Sequence, residues 1–211
     1  MNLIQKVETL YTNNTIRTYL ITFSLVFLAY FSKLSYSNYP PDDYMRLFQT
    51  EDWFFQADRG RWVTSILNHF IFKEGNFILP YFNTLLSLFF LSLSGLIISK
   101  IWGIKNQFII GTIIIITSIS PFWALNLFYN SNVTVSIGFL LATLAIYILK
   151  HQKSYRFLGF LLLILSSGIY QTITQSTALI IIGWFLLNLI DTENIKKIKE
   201  LVFSCSKLLA Y

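Results

Sequence analysis

A chain of 211 residues that is 55% hydrophobic and only 12% charged lies far from a soluble domain, where about 25% of residues are charged. Its apolar runs at 109–116 and 178–190 leave no polar helix face for water, which excludes a soluble all-α protein and predicts an integral membrane protein. The net charge of +6 is scattered over short loops rather than gathered in a patch, which argues against nucleic acid, and the single Cys205 excludes an intramolecular disulfide.

Residues 1–17 are polar, and Asn13, Asn14 and Thr15 are suited to cap the helix that follows. The first apolar segment, 18–36, is long enough to span a bilayer with Lys33 reaching to the interface. Its competitor is a signal peptide ending near Ser35 and Ser37. The stretch 37–76 is the longest polar one. Pro40 and Pro41 stop a helix there, and Asp42 and Asp43 are placed to cap a new one. Within it Trp62, Val63, Ile66, Leu67, Phe70 and Ile71 recur at helical spacing, predicting a short amphipathic helix on the membrane surface.

Residues 77–190 read as hydrophobic hairpins. Phe77 to Ser99 is one span, and 108–150 is two, parted at Ser120, Pro121 and a polar turn holding Asn126, Asn130 and Asn132. The stretch 157–190 is about twice the minimum spanning length. Ser166, Ser167, Gly168, Tyr170, Gln171 and Gln175 are its expected break, making the last pair of spans short or re-entrant. The expected architecture is an all-α polytopic membrane bundle of about six transmembrane helices in a single domain. With the N-terminus inside, eleven of the sixteen basic residues fall on the cytoplasmic side, and the 37–76 loop faces outward with six of the ten acids. The tail 191–211 reads as a basic amphipathic helix on the cytoplasmic leaflet.

The outward loop concentrates the reactive side chains. Asp42 and Asp43 are adjacent, and neighbouring like charges disfavour double ionisation, which suits a general base. Arg46, Arg59 and Arg61 offer forked donors for a phosphate. Sugar transfer from a lipid phosphate needs such a set: the phosphate leaves with its own charge, while the acceptor hydroxyl must lose a proton. Two other readings stay open. The carboxylates also suit a divalent cation shared with a substrate phosphate, or the acids cap a helix while the arginines anchor the interface.

The sequence Asp42-Asp43-Tyr44, Arg46 and then Gly60-Arg61-Trp62, after a first span, resembles the Asp-Asp…Gly-Arg pattern of the membrane glucosyltransferases that modify bacterial O-antigen (Gtr type II). The polar turn leading into the Leu- and Ala-rich span 126–150, and Ser167-Gly168-Ile169-Tyr170-Gln171, are similar too. The resemblance implies a GT-C-like fold in the bacterial inner membrane, a polyprenyl-phosphate-linked glucose donor and a surface polysaccharide acceptor on the periplasmic side. It implies that Asp42 or Asp43 takes the acceptor proton and that Arg61 meets the donor phosphate. Members are usually much longer, so the chain is expected to be a fragment, a short variant or a part needing partner membrane subunits.

Trp62, Tyr170 and Gln171 are further candidates for substrate contact, with interhelical packing as the alternative for the last two. His69 and His151 lack a second His or Cys at metal-ligand spacing, so no cofactor is assigned. The competing function is non-enzymatic: a transporter, flippase or accessory subunit for lipid-linked sugars. Such a protein should carry charged groups at mid-span depth, whereas these charges avoid the span centres.

Overall fold

The computed structural model describes residues 3–31, 60–70, 80–120 and 133–190, and among these every regular element is helical. In chain order they are α1 (Leu3–Ala29), α2 (Trp62–Phe70), α3 (Pro80–Ile101), α4 (Gln107–Ile119), α5 (Val133–His151), a 3-10 turn (Lys153–Tyr155), α6 (Arg156–Ile169) and α7 (Thr172–Ile190). The chain is a membrane helical bundle. Three helices are long and apolar enough to cross a membrane: Tyr81–Ile101, Val133–His151 and Thr172–Ile190. Asn14–Ala29 and Gln107–Ile119 are shorter apolar helices.

α1 starts at Leu3 rather than at the expected Asn13–Thr15 cap. Nucleation is the costly step in helix formation, and an interior Asn costs only about 0.7 kcal/mol relative to Ala. A helix held by its apolar half therefore extends through the asparagines into 3–12. That half lies along α4 and α3. Thr18 Oγ1 donates to Gln107 Oε1 at 3.0 Å and Tyr30 Oη to the Ser118 carbonyl at 3.2 Å. The Tyr19, Phe23 and Phe89 rings cluster with centroids 6.1 to 6.4 Å apart.

α3 and α5 form the centre, with 56% of each apolar window buried against 17% for α7. Pro80 at the first position of α3 sacrifices an N–H that no carbonyl within the helix would have met. The far end closes in a Schellman motif: Gly103 N–H donates to the Lys100 carbonyl (3.1 Å) and Ile104 N–H to that of Ser99 (3.0 Å), with Gly103 at φ 73°. Asn106 then caps α4, its side chain accepting from the N–H groups of Phe108 (2.9 Å) and Ile109 (3.4 Å). Asn106→Ala should lower stability by about 1 kcal/mol, measured as a shift in thermal unfolding in detergent. α4 stops at Ser120 in an extended conformation, as the following Pro121 demands and as the sequence predicts.

Because lipid removes the hydrophobic drive between helices, small residues set the interfaces. Gly95 of α3 lies so close to α4 that a Cβ there would stand 2.8 Å from Ile114 Cα, and Ser92 and Ser118 hydroxyls meet at 3.2 Å. Gly138 of α5 admits Ile169 of α6 and Ile173 of α7. α5 and α6 join through the one-turn 3-10 segment, so they pack antiparallel with Gly159 against Leu149.

The last hairpin differs from its expected form. The break falls at Tyr170–Gln171 alone, Gln175 lies inside a full-length α7, and only α6, at 14 residues, is short. One polar residue costs a packed helix little, whereas Tyr170, extended at φ −155° and ψ 122°, ends α6 outright. α7 is pinned at mid-length, where Trp102 Nε1 donates to the Ile180 carbonyl at 3.0 Å and the Trp102 ring fills the space above Gly183.

Candidate active site

The amphipathic helix expected after Gly60-Arg61 is α2, and it docks on the C-terminal end of α6. Gly60 turns the chain into it with φ 77°, a conformation that favours glycine. A Cβ there would also collide with the Gln171 side-chain amide. The Arg61 guanidinium lies over the Tyr170 ring, 4.3 Å from its centroid. Such a contact contributes about 0.5–2 kcal/mol depending on desolvation. Among the described residues no carboxylate or hydrogen bond takes up the Arg61 N–H groups.

The rest of α2 secures this arrangement. Trp62 and Val63 sit over Gly168, where a Cβ would stand 2.6 Å from Trp62 Cε2 and 2.7 Å from Val63 Cγ2. Val63 is buried with Ala142, Ile169 and Ile173 in a small apolar cluster shared by α2, α5, α6 and α7. Thr64 Oγ1 donates to the Ile169 carbonyl at 2.9 Å, using an acceptor that the end of α6 leaves unpaired within the helix. Trp62 itself remains 41% exposed.

Four of the residues singled out in the sequence therefore come together: Arg61, Trp62, Tyr170 and Gln171. Tyr170 and Gln171 touch Arg61 and Gly60, the kind of interhelical contact that the sequence offered beside substrate binding for both. Asp42, Asp43, Arg46 and Arg59 lie outside the described residues, as do the turn at 126–132 and the tail at 191–211. Gly168, Val63 and Thr64 were not singled out as site residues. A glycine inside an apolar run just before a helix end was the available signal for Gly168, because it marks a close approach; nothing local distinguishes Thr64.

The same end of the bundle carries buried polar groups. Asn83, Thr84 and Ser87 at the start of α3, and Thr134 and Ser136 at the start of α5, are all at most 5% exposed. Beside Gln171, the buried Thr172 hydroxyl has no hydrogen-bond partner among the described residues. Polar groups at this depth are costly and mark functional interiors in membrane proteins.

Gly168→Val should expel Trp62 and Val63 and detach α2 from α6. The expected loss is about 1–3 kcal/mol in docking energy, read as faster proteolysis between α2 and α3 while total helix content by circular dichroism holds.

A family model described as glucosyl transferase GtrII matches residues 31–211, which include the acidic pair, Arg61 and the seat on α6. No curated protein and no solved structure matches the chain. With the family model spanning most of the sequence over an all-helical membrane bundle, the chain belongs to the glucosyl transferase GtrII family of membrane glycosyltransferases.

Proposed function

We propose that the protein moves glucose from a polyprenyl-phosphate carrier to a cell-surface polysaccharide such as O-antigen, at the end of the bundle that bears Arg61. That end faces the periplasm from the bacterial inner membrane. The reading rests on one observation above all: Arg61 is held over Tyr170 next to a partly exposed indole, and among the described residues nothing takes up its forked donors. A guanidinium so held is ready for a phosphate before the donor arrives, so little side-chain entropy is lost on binding. The orientation is supported by the charges: the opposite end holds Arg17, Lys100, Lys105, Lys150, Lys153 and Arg156.

In the reaction, the acceptor hydroxyl oxygen attacks the anomeric carbon of glucose. The bond from that carbon to the phosphate oxygen breaks, and its electrons leave with polyprenyl phosphate. Arg61, aided by Arg46 and Arg59, stabilises the charge that accumulates on the phosphate. The acceptor proton passes to the Asp42–Asp43 pair, which acts as a unit. Trp62 offers an aromatic face to a sugar ring. A divalent cation shared by the pair and the phosphate would serve the same charge balance and is separated from the metal-free route by adding a chelator. Partner membrane subunits would supply whatever further surface the acceptor needs.

The donor class is tested with membranes containing the chain and radiolabelled glucose, supplied either on polyprenyl phosphate or on a nucleotide. Label should reach polysaccharide from the lipid donor without any nucleotide sugar. Transfer that requires the nucleotide sugar, with purified lipid donor inert, rejects the proposal.

A further inference from the structure

The end of the bundle remote from Arg61 is a charged collar that the glucosyl-transfer reading does not use. Its members are brought together by contacts on several helices. Thr18 bonds Gln107, which brings Arg17 of α1 and Lys105 of the α3–α4 turn to the same end of the bundle. Lys150, at the end of α5, places its ammonium on the Ile101 carbonyl of α3 and 4.9 Å from the Trp184 ring of α7. That contact carries Lys100, Lys153 and Arg156 to the same level. Lys150 is thus occupied in joining three helices, whereas Arg17, Lys100, Lys105, Lys153 and Arg156 are all exposed. No Asp or Glu occurs in residues 14–31, 60–67, 80–120 or 133–190, so no carboxylate of these segments offsets the collar.

Apolar surface reaches right up to these charges. Phe108 and Phe157 are 83% and 81% exposed, and each lies within one turn of a helix start just past a cation of the collar, Lys105 and Arg156 respectively. Tyr155 between Lys153 and Arg156 is 60% exposed. An exposed cation followed within three residues by an exposed phenylalanine fits neither water nor hydrocarbon alone. It fits the boundary where phosphates overlie acyl chains.

We infer that this collar binds anionic phospholipid headgroups, with the cations on lipid phosphates and Phe108 and Phe157 among the acyl chains. Lipid is favoured over a soluble phosphate because the apolar surface continues from the cations down α4 and α6, through Ile109, Ile116, Phe160 and Ile164, all exposed. Each cation near an anionic surface raises affinity about five-fold. The inference stands apart from the proposed chemistry: transfer activity can fail while lipid preference holds, and the reverse.

The test uses the full chain reconstituted with brominated lipids, which quench Trp102 and Trp184 at this end. Brominated phosphatidylglycerol should be preferred over brominated phosphatidylcholine by about five-fold or more, and the preference should shrink as salt rises. The triple variant Lys105→Gln/Lys153→Gln/Arg156→Gln should lose it while quenching by phosphatidylcholine stays at the wild-type level. Should that variant fail to fold, the pair Lys100→Gln/Lys105→Gln provides the same comparison. Equal quenching by both lipids in the wild type, a preference the variants retain, or displacement of the lipid by millimolar glycerol phosphate would each overturn the inference.

Discussion

Asp42→Asn and Asp43→Asn are each expected to lower glucose transfer by about 10²–10⁴-fold, the range for removing a general base. Asparagine keeps the shape and the capping capacity of aspartate and deletes only the proton acceptor. If these residues merely cap a helix, as their position after Pro40 and Pro41 also allows, the asparagine variants should transfer at the wild-type rate. If instead the pair holds a divalent cation, a chelator should abolish wild-type transfer and excess cation should partly rescue the single variants. Initial rates in membranes with matched protein levels distinguish the three results.

Arg61→Ala is the second large effect, about 10²–10³-fold in kcat/KM, as expected for losing a preorganised donor to developing charge. Arg61→Lys should recover only part of it. Lysine keeps the charge but lacks the planar fork and sits less well over Tyr170. Because the docking of α2 also rests on Gly168, Val63 and Thr64, Arg61→Ala should leave the fold intact. A variant that loses activity while α2 stays docked separates chemistry from stability, where Gly168→Val disturbs both.

Hydropathy and helix-stop signals carried much of this architecture. The spacing from Trp62 to Phe70 predicts α2, Pro121 predicts the end of α4, and Tyr170–Gln171 marks the last turn. These are local properties: periodicity, a missing N–H, an extended residue. Where neighbours decide, the sequence misled. The asparagines at 13 and 14 resemble a cap, yet a helix already paid for by tertiary contacts runs through them, and Gln175 resembles a break, yet it lies within α7. The site followed the same division. Arg61 and Tyr170 were each legible as candidates by residue type, but nothing within either segment says that they touch. The α2–α6 contact spans 105 residues of sequence, as the Thr64–Ile169 bond shows, and it depends on Gly168 having no side chain. Gly95 against Ile114, which sets how closely α3 and α4 approach, was invisible for the same reason.

Buried polarity adds a point about the competing transporter reading. Among the described residues the interior polar groups are serines, threonines and Asn83, and the cations stand at helix ends. A mid-membrane ion path has no charged member in these segments. Asn83, Thr84, Ser87, Thr134 and Ser136 lie at the end that carries Arg61, while others such as Thr15, Ser99 and Thr143 are spread along the helices.

The central claim is that two stretches more than a hundred residues apart, Gly60–Trp62 and Gly168–Gln171, build one donor site through the Arg61–Tyr170 contact. A double-mutant cycle in the glucose-transfer assay tests it most directly, with kcat/KM measured for Arg61→Ala, Tyr170→Ala and the double variant. The account predicts that Tyr170→Ala costs activity on its own but adds almost nothing once Arg61 is gone. Losses that simply multiply would mean that the two residues act independently, and the shared site would be contradicted.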